Sequence, residues 1–172
     1  MSASPQATPS AQSPTEQDNA EALRHLVREL EQELLAALDD QTAQSAVDRL
    51  QAINHSLEAL DQSLQTIDPE VAGALVERLR LGLDRLACDL HQRGGWEHLD
   101  TAQRNALLSR HAAGLTRIDG VGKASAERIF LHGISDPERF QRLTPEALDD
   151  IEGLNGAVLA RLKKALTEAR ET

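Results

Sequence analysis

One cysteine, Cys88, stands in 172 residues, so no intrachain disulfide can form and a Cys-ligated zinc or iron–sulfur site lacks ligands. Tyrosine is absent. Apart from histidine, the aromatic side chains are Trp96, Phe130 and Phe140 alone, so the core must be aliphatic. Runs of alternating β-branched residues are missing, and with them any case for a sheet. No apolar run approaches the roughly 20 residues of a membrane-spanning helix, so no membrane partner is expected. The first residues show no basic segment ahead of an apolar stretch, so no signal peptide is read there and a cytoplasmic location is expected. What remains is rich in Ala, Leu, Glu, Gln and Arg, a composition that favours an all-α fold.

Lysine is scarce and unevenly placed. Residues 1–114 hold 9 Arg, no Lys and 18 Asp+Glu, a net of −9, whereas residues 115–172 hold 9 Lys+Arg and 10 Asp+Glu, a net of −1. Lys123, Lys163 and Lys164 all lie in the second part. The overall charge of −10 disfavours a nucleic-acid partner for the chain as a whole, but the acidity belongs to its first two thirds.

Residues 1–18 are Ser, Pro, Gln, Ala and Thr with almost no large apolar side chain, and read as a disordered tail. Residues 19–93 read as an acidic helical hairpin or coiled-coil region. Leu23, Leu26, Leu30, Leu34 and Leu38 mark an amphipathic helix, broken near residues 39–42. Ala43, Ala46, Leu50, Ile53, Leu57, Leu60, Leu64 and Ile67 then alternate spacings of three and four, the signature of a coiled-coil seam. Its regularity predicts pairing with a neighbouring helix, and homo-oligomerisation through 43–67 is expected. Asp68 as N-cap and Pro69 at the first position start another helix, whose inward side is read as Val71, Leu75, Leu79, Leu83, Leu86 and Leu90. The glycines after Arg93 close it. Residues 94–113 are a connector in which Trp96 anchors the two halves and Asp100 or Thr101 caps a helix to about His111, ended by Gly114.

The C-terminal part repeats itself. "LTRIDGVGKASAERIF" (115–130) and "LDDIEGLNGAVLARLK" (148–163) align without a gap at an offset of 33, matching Gly120 to Gly153, Ala124 to Ala157 and Arg128 to Arg161. Each unit reads as a short helix, a glycine turn and a longer helix. Between them, Gly133 is a C-cap, Asp136–Pro137 opens a connecting helix that buries Phe140, and Thr144 to Glu146 begin the second unit. In the first turn, Gly120 permits an unusual backbone angle and Gly122 lets an anion approach. The following helix presents unpaired amides and a positive dipole end, Lys123 adds a charge, and Ser125 a hydroxyl.

This segment, about Gly114 to Arg170, resembles the tandem helix-hairpin-helix family. The resemblance rests on apolar-x-x-apolar-x-Gly-apolar-Gly, Ala126, the Ile129–Phe130 pair, the "GI" at Gly133–Ile134 and the "TPEAL" at 144–148. It implies a compact five-helix domain over 114–172 that binds DNA without sequence specificity, each hairpin offering amides to a phosphate. The residues then expected at DNA are Gly120, Val121, Gly122, Lys123, Ala124, Ser125 and Arg128, with Gly153, Asn155, Gly156 and Arg161 from the second unit. That unit departs from the pattern: Asn155 replaces the second glycine, Gly156 the lysine and Leu159 the alanine.

"GVGKAS" is not a nucleotide loop, because Arg117 stands where the first glycine should be and Ala124 follows the lysine. Some relatives of this family are DNA glycosylases, but here Asp136 sits in a helix-capping context, so no catalytic residue is assigned. The six histidines make no tight metal spacing, and neither metal nor cofactor is expected. Two functions are weighed: a non-enzymatic DNA-backbone binder whose acidic helices oligomerise or recruit a partner, and a protein-interaction adaptor that docks through apolar surface.

Overall fold

The computed structural model describes residues 25, 28–30, 32, 43–65 and 69–170. The expected tail, the break near 39–42 and the Asp68 cap lie outside them. Among the described residues the chain is helical, with no strand, so the all-α class holds. We label the helices α1 (Ala43–Gln65), α2 (Pro69–Gln92), α3 (Thr101–His111), α4 (Lys123–Leu131), α5 (Pro137–Gln141) and α6 (Gly156–Arg170). Two 3-10 turns, Ala113–Arg117 and Glu146–Asp150, precede α4 and α6.

Helices α1 and α2 form an antiparallel pair. Asp61 of α1 meets Arg80 of α2 at 2.8 Å near the turn, and Asn54 and Asp84 meet farther along through His111. The heptad positions Ala46, Leu50, Ile53, Leu57, Leu60 and Leu64 are all buried, together with Val47 and Leu30. The apolar surface of this seam is buried inside the chain, against α2. Ala43's side chain and Ile67 lie outside the described residues. On α2 the phase differs from the one read in the sequence. Val76, Leu83, Ala87 and Cys88 turn inward, while Leu75 is 42% exposed. Leu75, Leu79 and Leu83, spaced by four, drift around a 3.6-residue helix, and Val76 takes the inward slot that Leu75 loses.

The connector behaves as its residues dictate. Asp100 accepts from the Gln103 amide at 2.8 Å while the Gln103 side chain accepts from the Asp100 amide at 3.1 Å, a reciprocal capping box that starts α3. The helix ends at His111, and Gly114 falls within the following 3-10 turn instead of ending it. Trp96 is buried, edge-on to His91 at 4.9 Å and stacked on Phe130 at 6.0 Å, so it joins the end of α2 to the end of α4. Burial lowers the pKa of His91. α4 closes with a Schellman pattern: the Gly133 amide bonds the Phe130 carbonyl and the Ile134 amide that of Ile129, with Gly133 at φ +97°.

A buried ionic joint fixes α5 against α2. Asp136 caps α5 by accepting from the Arg139 amide at 3.0 Å, and its carboxylate also takes Arg85 Nε at 2.9 Å and the Ser135 hydroxyl at 2.7 Å. Arg85 reaches Glu138 as well, at 2.7 Å. Burial alone would raise the Asp136 pKa; the hydrogen bonds from Arg85, the Arg139 amide and Ser135 reverse this and hold it at about 2. A carboxylate depressed from its ordinary 3.8 to about 2 stabilises the fold above pH 3.8, and the contribution is lost as pH falls to 2. By linkage this amounts to about 2 kcal/mol. Asp136→Asn is expected to lower stability by about that much at neutral pH and to flatten the loss between pH 4 and 2, measured by urea unfolding across that range.

Candidate nucleic-acid interface

The repeat in the sequence is a repeat in space. The 3-10 turns Ala113–Arg117 and Glu146–Asp150, and the starts of α4 at Lys123 and α6 at Gly156, are each offset by 33. Gly120 and Gly153 both stand at φ +78°, in the left-handed region that glycine enters without strain. Leu115, Ile118, Leu148 and Ile151 pack beneath the turns, and Val121 is buried as the apolar residue between the paired glycines.

At the first turn the backbone is open. Gly122 is the N-cap of α4 and supplies no side-chain cap. The Val121 amide bonds the Ile118 carbonyl at 3.0 Å and the Ala126 amide that of Gly122 at 2.9 Å, but the amides of Gly122, Lys123, Ala124 and Ser125 have no acceptor among the described residues. Val121 is thus removed as an amide donor from the set read in the sequence; its amide is spent closing the turn and its side chain seats it. The open amides lie at an exposed tip. A Cβ at Gly122 would meet nothing within 4 Å, and the Lys123 side chain is 72% exposed. Lys123 touches Glu127 at only 4.0 Å, and that carboxylate is engaged by the Ser109 hydroxyl at 2.9 Å. Among the described residues α1 and α2 contribute no ion pair to Lys123.

The second turn is closed by its own side chain. Asn155, at the place of Gly122, accepts from the Ala157 amide through Oδ1 at 2.9 Å. Ala157 is the counterpart of Ala124, so the donor left open in the first unit is occupied in the second. Gly156, like Gly122, would carry a Cβ into open space. Lys163 and Lys164 do not reach this turn as free charges: Lys163 pairs with Asp149 at 2.6 Å and Lys164 with Glu168 at 3.6 Å.

Arg128 and Arg161 are exposed, with no hydrogen bond or ion pair among the described residues. Neither lies at the turn of its own unit. The two turns and their helices are thus brought together by reciprocal packing of these side chains, a juxtaposition that no local sequence pattern signals.

A separate cleft of about 630 Å³ lies where α1, α2 and α3 meet the start of the repeat. At its floor His111 is buried, with Nδ1 2.8 Å from Asp84 and Nε2 3.3 Å from Asn54. Asn54 Nδ2 also donates to the Leu50 carbonyl at 2.9 Å, which fixes the amide's orientation. Its second hydrogen then points at Nε2, leaving the proton of a neutral imidazole on Nδ1, toward Asp84. Burial pushes the Asp84 carboxyl up, opposed by this hydrogen bond. The histidine lone pair that a general base would use is occupied, so the group ties three helices together. Ion pairs Arg110–Glu58 at 2.8 Å and Arg117–Glu77 at 2.6 Å close the rim. Sequence reading missed this group: its members stand 27 and 57 residues apart, and only His111 as an inward residue near a helix end hinted at it.

The two glycines of the first turn make opposite demands. Gly120→Ala is expected to cost about 1–2 kcal/mol or more, through left-handed strain and contact with Arg161, whereas Gly122→Ala, whose φ is −84°, costs only about 0.5–1 kcal/mol, as a poorer N-cap; paired thermal melts check both. No protein-family model, curated protein or solved structure matches this chain, so the site stands on its own geometry.

Proposed function

We propose that this chain is a non-enzymatic DNA-binding protein that contacts the phosphodiester backbone through the turn at Gly120 to Ser125, without reading sequence. The observation that carries the reading is the set of four amides, Gly122 to Ser125, without acceptors at an exposed helix start beside Lys123. Amides in that arrangement, with the positive end of the helix dipole, favour a phosphate oxygen over a neutral or cationic group. The likeness to tandem helix-hairpin-helix domains points to the same ligand. Backbone donors and a point charge touch no base edge, so the contact carries no sequence information. The paired helices α1 and α2 serve as the acidic body from which the repeat projects, and as the surface for a partner protein.

The adaptor reading receives less support. It requires an apolar docking surface, and among the described residues Leu75 is the large hydrophobic side chain that is exposed. The buried Asp84–His111–Asn54 group gives an enzymatic reading no free base.

If about three phosphates are neutralised, log K falls against log salt with a slope of about −3. Titration of the full chain with a short mixed-sequence duplex is expected to give this slope, with binding weakened by both Lys123→Glu and Gly122→Val. Because a side chain at Gly122 enters open space, the second variant keeps the fold and loses only access to the amides. Salt-independent binding, or none at low salt, overturns the reading.

A further inference from the structure

On each helix the repeat's arginine stands far from its own turn. Arg128 follows Gly122 by six residues, about 9 Å along the axis of α4, and Arg161 is placed likewise on α6. The fold brings each to the other unit instead. A methyl at Gly120 would lie 2.6 Å from Arg161 Cδ and 2.9 Å from its Nη1. A methyl at Gly153 would lie 3.2 Å from Arg128 Nε and 3.3 Å from its Cζ. The two glycines and the two arginines are equivalent under the 33-residue offset, so the contact is a reciprocal exchange between the two units.

No carboxylate neutralises either guanidinium among the described residues, although most other arginines described here are paired. Both are exposed, and each packs against the glycine of the other unit's turn. The exchange also brings a cation to a turn that lacks one: Gly156 stands where Lys123 stands in the first unit, and Arg128 of α4 packs at Gly153 of the same turn.

We propose that Arg128 and Arg161 are exchanged cations: Arg161 completes the anion-binding turn of the first repeat and Arg128 that of the second, so one polyanionic backbone ligand engages both turns as a single surface. This rests on the DNA-backbone reading above. It assigns a binding role to the second turn, through a guanidinium in place of the amide that Asn155 occupies. It also predicts that removing charge from one repeat weakens the turn of the other.

The test is a set of double-mutant cycles on the full chain with a short duplex at low salt. Gly122→Asp and Asn155→Asp block the turns one at a time. Each places a carboxylate at an N-cap position, where Asp is a favoured residue, and neither side chain has a steric obstacle to meet. Arg128→Gln and Arg161→Gln each are expected to remove about one unit of salt slope from the wild-type protein. Arg161→Gln is then silent in the Gly122→Asp background and keeps its effect in the Asn155→Asp background; Arg128→Gln shows the reverse. The opposite pattern, with each arginine coupled to its own repeat, overturns the exchange while leaving DNA binding intact. So does additivity in all four backgrounds, loss of all binding on blocking the first turn alone, or a fall in melting temperature that accounts for the affinity lost. Absence of binding by the wild-type chain overturns both this inference and the reading beneath it.

Discussion

Four backbone amides at the start of α4 have no acceptor among the described residues, and much of the repeat's architecture keeps them so. A helix start ordinarily satisfies its donors with a capping side chain. Here the N-cap is a glycine, which has none. The turn in front is closed by the Val121 amide and by a left-handed Gly120, so the chain reverses without using the donors of the helix behind it. The same turn thirty-three residues later has an asparagine at the N-cap and spends one of these donors internally. One fold element thus exists in the molecule in an open and a capped form, and the difference is one side chain.

At the tip itself Gly122, Lys123 and Ala124 are exposed. The α1–α2 pair encloses the leucine seam; it meets the start of the repeat through the Glu77–Arg117 ion pair at 2.6 Å and packs against the far end of α4. There Trp96 stacks on Phe130, Gln92 donates to the Leu131 carbonyl at 2.8 Å, and Cys88 lies against the Phe130 carbonyl at 3.6 Å. The Arg85–Asp136 joint and the His111 group fix the orientation by polar contacts whose geometry is directional. Packing the C-terminal end of α4 against the end of α2 leaves the positive end of its dipole at an exposed helix start.

Much of this was legible in the sequence because it is local. Asp100, Asp136 and Gly133 sit at helix ends for reasons that each residue carries within four positions, and the structure places all three as read. The 33-residue repeat was visible as a gapless alignment and reappears in the turn angles. Other features were not legible. The exposure of Leu75 depends on where a 3.6-residue helix is clamped by its neighbour, which spacing alone does not fix. The bonding of the Val121 amide depends on how tightly the turn closes. The Asp136–Arg85 pair spans 51 residues, and the arginine exchange depends on two repeats facing each other. Heptad regularity in α1 pointed to a partner helix correctly, but not to whether that helix belonged to the same chain.

The central claim concerns specific protons, and amide NMR observes them. In a titration of the full chain with a short duplex at low salt, the amide resonances of Lys123, Ala124 and Ser125 are expected to move downfield together with ligand concentration. The amide of Ala157, already bonded to Asn155, is expected to stay near its free position. Binding that leaves the three α4 amides unmoved, or that moves Ala157 in their place, would contradict the account.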